Sequence, residues 1–136
     1  MPVIEGTTTL KSAQGEYDFA VDGGAVGTKT LRGANAASIG NQIPAGSVIE
    51  GGYIEVDTIL ASSGVPTVAV TVEGAGDLLA ATAFDASPWS TTGRKSITPA
   101  FTGATSVKTT ASRSIAIVIA AAALTAGKFR VVLWYR

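Results

Sequence analysis

Residues 43–60, IPAGSVIEGGYIEVDTIL, alternate with a period of two, and few folds admit that pattern. Pro44-Ala45-Gly46 makes a tight turn that feeds a long strand. From Tyr53 on, Ile54, Val56 and Leu60 take one side with Thr58, while Tyr53, Glu55, Asp57 and Ile59 take the other. Successive side chains of a strand point to opposite faces, so this segment belongs to a sheet with one buried face. Paired glycines at Gly51-Gly52 predict a bulge or corner within it.

The rest of the chain reads the same way. Residues 17–21 alternate as a short strand that stops at Asp22-Gly23-Gly24, and residues 25–31 are the returning strand of that hairpin. Val68, Val70 and Val72 share the inward side of a strand, as do Ile115, Ile117 and Ile119. Residues 78–84, 95–98 and 107–110 are shorter strand candidates. In the closing segment Phe129, Val131, Leu133 and Tyr135 alternate with Arg130, Val132 and Trp134. Both faces of that strand are apolar, which makes it a central strand or part of a subunit contact. Val132 and Trp134 are therefore the candidate oligomer-interface residues. About eight or nine short strands and regular turn signals predict an all-β, single-domain antiparallel β-sandwich, with a jelly roll as the expected variant. The domain is expected over residues 16–136, preceded by an N-terminal arm at 1–15 that is rich in Thr, Ser and Gly.

Composition removes most chemistry. The chain has no His and no Cys, so Ser-His-Asp and Cys-His arrangements and His/Cys zinc sites are excluded. Ten basic against ten acidic residues argue against a nucleic-acid partner and against an anionic membrane. The longest apolar run, residues 115–124, is too short for the roughly 20 residues that cross a bilayer. Met1-Pro2-Val3-Ile4-Glu5 does not read as a signal peptide, so synthesis in a cytoplasm is expected. Charged residues make up only 15%, against about 25% in typical soluble domains. With mean hydropathy at +0.36, some apolar surface is expected to meet other subunits of a homo-oligomer.

The remaining polar constellations have bland readings. Residues 23–30 lack the Gly-Lys-Ser/Thr of a phosphate loop, since Thr28 separates Gly27 from Lys29. Glu55 and Asp57 share a strand face and read as a solvated surface rather than a carboxylate pair. Asp77 reads as a turn residue that bonds its own backbone, with too few oxygen neighbours for calcium. Trp89, in a loop of Ser and Thr, is the aromatic kept as a candidate ligand contact. Neither a cofactor nor a metal is expected.

The turn and strand at residues 43–60, Val65-Pro66-Thr67-Val68-Ala69-Val70, Asp77-Leu78-Leu79-Ala80 and the closing Leu124-Thr125-Ala126-Gly127-Lys128-Phe129-Arg130-Val131 occur in an order with a likeness elsewhere. Together they resemble small β-rich head proteins of tailed bacteriophages, the capsid decoration (cement) proteins and head-fibre bases. The resemblance implies a non-enzymatic homotrimer on the capsid surface of the virion, bound to the major capsid protein. Val3, Ile4 and Leu10 in the arm are then the candidate capsid contacts. The rival expectation is a receptor- or carbohydrate-binding jelly-roll module of a phage tail fibre.

Overall fold

The alternation in residues 43–60 becomes the longest strand of the molecule, Ile49–Ala61. The structure is a computed structural model that describes residues 10–33, 42–97 and 107–136. In chain order the elements are β1 (Lys11–Asp18), α1 (Phe19–Asp22), β2 (Gly27–Thr30), β3 (Gln42–Ile43), β4 (Ile49–Ala61) and β5 (Thr67–Thr71). They continue with β6 (Leu79–Ala83), β7 (Gly93–Ile97), β8 (Arg113–Ser114), β9 (Ala116–Ala120) and β10 (Ala126–Tyr135). One four-stranded sheet, sheet A, has the order β1-β10-β4-β7; a second, sheet B, has the order β2-β9-β5-β6. Strands β3 and β8 form a small separate pair. Every pairing among the named strands is antiparallel.

The protein is an all-β sandwich with its core between the two sheets. Sheet A contributes Ile54, Val56, Phe129, Val131 and Leu133, and sheet B contributes Val68, Val70, Ile117 and Ile119, all essentially without solvent contact. The apolar parity of each strand is what buries these residues; their β-branched side chains pack well on a pleated surface. Strand β10 is a central strand between β1 and β4, with Phe129, Val131 and Leu133 on its buried face and Lys128, Arg130, Val132 and Trp134 on its outer face. The predicted irregularity at Gly51-Gly52 falls where the β4–β10 register shifts, between Trp134 and Tyr135. Gly52 is required there, because a Cβ would collide with the Val132 carbonyl and the Leu133 side chain.

Two expectations need correction. Residues 17–31 do not form a hairpin: β1 pairs with β10 in sheet A, and β2 pairs with β9 in sheet B. The turn between them is the short α1, capped by the Asp18 carboxylate and closed by Gly23 at φ +73°. The arm boundary also moves. Lys11 to Gly15 lie in β1 along β10, with Ala13 1% exposed, so these residues belong to sheet A and not to an arm.

Hydrogen bonds stitch the turns at one end of the sandwich. The Thr109 hydroxyl donates to the Pro44 carbonyl at 2.7 Å and accepts the Ser47 amide at 3.0 Å, fixing the Pro44-Ala45-Gly46 turn. Asp77 accepts the amides of Val72, Glu73 and Gly74 at 2.8–2.9 Å, the turn role that its sequence position predicted.

Candidate interaction surfaces

Strand register builds the most organised polar surface on the outside of sheet A. Residues of β1, β10, β4 and β7 line up across the four strands in rows, because the pairings share one register. One row reads Glu16, Arg130, Glu55, Arg94. The next reads Gln14, Val132, Tyr53, Ser96, and the one beyond Ser12, Trp134, Gly51. The opposite parity of each strand is buried, so these side chains face outward.

The charged row is internally paired. Arg130 Nη2 donates to Glu55 Oε2 at 2.9 Å, and Arg94 reaches the same oxygen at 3.4 Å. The hydrogen bond from Arg130 outweighs desolvation and holds the Glu55 carboxyl below its ordinary pKa. The Arg94 guanidinium also lies 4.1 Å from the centroid of the Tyr53 ring. Tyr53 in turn meets Trp134 at 5.8 Å between centroids. Nε of Arg130 is buried without a hydrogen-bond partner. Glu55, read from sequence as solvated, is thus the centre of an ion network, while Asp57 beyond it is exposed.

Sheet B presents the opposite character. Its outward rows are Thr28, Val118 and Ala69, then Thr30, Ala116 and Thr71, and they carry no charge. At its end Glu73 accepts the Thr110 amide at 2.9 Å and a two-pronged contact from Arg113 at 2.7 and 3.2 Å. Those bonds, led by Arg113, lower the Glu73 pKa to about 2.

A shallow cleft of about 380 Å³ opens beside the charged row, lined by Glu16, Asp18, Asp57, Arg32, Lys128 and Arg130 among others. Arg32 is held by Asp22 at 2.9 Å. Tyr17, at the floor, donates its hydroxyl to the Gly23 carbonyl at 2.7 Å, and burial together with Asp22 and Asp18 pushes its pKa up to about 12. No group of three or more acidic side chains that could hold a metal ion occurs among the described residues.

The candidate residues fare unequally. Trp89 is not a ligand contact: it is 0% exposed, packs on Phe129 at 4.8 Å and donates Nε1–H to the Val68 carbonyl at 3.3 Å. Its Ser- and Thr-rich loop folds back over Leu60, so the indole plugs the space between the sheets. Trp134 is 38% exposed on the outer face, whereas its companion Val132 is only 5% exposed, covered by its own neighbours. Leu10 is 44% exposed; Val3 and Ile4 lie outside the described residues. Sequence reasoning missed Glu16, Arg94 and Arg130, which come together only through strand register.

No family model matches the chain, and no curated protein matches it significantly in sequence. Its fold is similar to that of three solved chains. One is from the acidic stable capsid structure of Helicobacter pylori bacteriophage KHP30, at TM-score 0.59 and 13% identity, over 94% of this chain and 87% of that one. Another is from the cyanophage Pam1 capsid asymmetric unit, at TM-score 0.57 and 19% identity, over 99% and 98%. The third is from the capsid of Ralstonia phage GP4, at TM-score 0.59 and 17% identity, over 99% and 88%. The likeness at these identities is one of fold.

Proposed function

We propose that this chain is a non-enzymatic structural protein of a bacteriophage virion, a decoration (cement) protein that binds the major capsid protein on the outer surface of the head and braces the shell. The observation that carries this reading is the fold likeness to three phage capsid chains, each spanning nearly the whole of this one. Strand order supports the jelly-roll form of the fold. Without the short β3 and β8, eight strands in sequence fill two sheets in which the first pairs with the last and the second with the next to last. The chemistry agrees with a bracing role. Glu55, one of the two carboxylates weighed as a pair from sequence, is committed to two arginines. The tail-fibre alternative loses its exposed Trp89.

In this reading the protein is made in the host cytoplasm and joins the particle there. Val3, Ile4 and Leu10 remain the proposed capsid contacts, within an arm shortened to residues 1–10.

The test is co-sedimentation of purified protein with heads that lack it. Saturable binding in fixed proportion to the capsid subunits, with shells that resist heating better when loaded, is the expected result. Deleting residues 1–9 is expected to weaken binding at least tenfold, about 1.4 kcal/mol. Recovery of the protein with tails or fibres instead of heads would overturn the proposal.

A further inference from the structure

The outer face of sheet A carries a charge order that a second copy of the chain matches. Along Glu16, Arg130, Glu55 and Arg94 the signs run minus, plus, minus, plus. Read from the other edge they run plus, minus, plus, minus. Two copies laid face to face, about a two-fold axis parallel to the strands and between β10 and β4, therefore set every charge against its opposite. Glu16 of one copy faces Arg94 of the other, and Arg130 faces Glu55, each contact occurring twice.

The adjoining rows obey the same axis. Gln14 faces Ser96, Val132 faces Tyr53, and Trp134 faces Gly51, a position with no side chain. The two exposed indoles then lie beside the axis, where an aromatic anchor contributes most. Within one copy Glu55 takes both arginines, and Glu16 makes no ion pair among the described residues.

We propose that this face is an isologous contact between two copies of the chain. It stands on the sheet alone and is independent of the reading as a capsid protein. The symmetry is two-fold, in place of the homotrimer expected from the family resemblance. Four strands about 4.8 Å apart and three rows about 6.8 Å apart cover roughly 400 Å² per copy, half of the approximately 800 Å² per partner in a standard interface. The contact is accordingly weak in dilute solution and sensitive to salt.

Sedimentation equilibrium of the full chain, up to about 1 mM, tests it. A reversible dimer that weakens several-fold at high salt is expected. Glu16→Arg and Arg94→Glu should each weaken association at least tenfold, because each puts like charges opposite one another. An equimolar mixture of these two variants should regain wild-type association, since each copy then offers the charge that the other lacks. Trp134→Ala, which keeps every charge, should also weaken it at least tenfold. Wild-type protein that stays monomeric at the highest concentration overturns the proposal. So does a mixture of folded variants that associates no better than either alone, or a trimer indifferent to all three substitutions.

Discussion

The two sheets bury equivalent inner faces and show the solvent very different outer ones. Inside, Ile117, Ile119, Val68 and Val70 of sheet B answer Ile54, Val56, Val131 and Leu133 of sheet A, with no division of labour between them. Outside, sheet A displays paired charges with Tyr53 and Trp134, while sheet B displays Thr, Ala and Val. A neutral face of small residues is covered by almost anything, but it selects nothing. An ordered charge row selects its partner, because a shift by one strand sets like against like. The difference teaches where specificity resides: in the register of sheet A rather than in any pocket.

Several changes break or sharpen that contrast. The largest effect is expected on removing residues 1–15, which strips β1 from β10 and uncovers Val131 and Leu133 from one side. Cooperative unfolding in urea should be lost altogether, and a truncated protein with an unchanged transition would return these residues to an arm. Next come Leu133→Ala and Ile117→Ala, one from each inner face. Each should cost about 2–5 kcal/mol by denaturant titration, through lost burial and a residual cavity. A large disparity between them would show that the inner faces are not equivalent after all.

Smaller is the response to acid. Glu73 has its folded pKa depressed to about 2, so its stabilising contribution is complete above the ordinary carboxylate range and is lost as pH falls through about 2. Glu55 and Asp22 are shifted in the same direction. For Glu55 the Arg130 hydrogen bond outweighs burial. For Asp22 burial is the largest single effect but yields to the Arg32 and Asp18 hydrogen bonds and nearby positive charge together. Melting temperature should therefore fall progressively from about pH 5 downward, and Glu73→Gln should flatten that slope. The least effect belongs to the outside of sheet B. Val118→Thr should change stability by no more than about 0.5–1 kcal/mol and leave self-association alone; a change in association would mean that the neutral face also selects a partner.

Much of this was legible in the sequence, and for one reason. Period-two alternation names the face each residue takes, and it correctly assigned Ile54, Val56, Val68, Val70, Ile117, Leu133 and their neighbours to the interior. It says nothing about which strands adjoin. Residues 17–31 look like a hairpin because the nearest strand in sequence is the default partner, yet their neighbours, β10 and β9, lie at the far end of the chain. The charged row was invisible for the same reason, since Glu16, Arg130, Glu55 and Arg94 are scattered until register aligns them. Trp89 misled in another way: its polar flanks describe the outside of a loop whose one large side chain turns in.

The central place of β10 also dictates when this chain can fold. β1 and β4 leave the ribosome long before the strand that joins them, and until Phe129 to Tyr135 emerge neither has its inner neighbour in sheet A. Nascent chains must therefore hold apolar strand edges apart until β10 emerges, and sheet A is completed only then. The charge on those early strands, Lys11, Glu16 and Asp18 on β1 and Glu50, Glu55 and Asp57 on β4, is mostly acidic. Like charges disfavour a direct pairing of the two, and Arg130, which bonds Glu55, arrives only with β10.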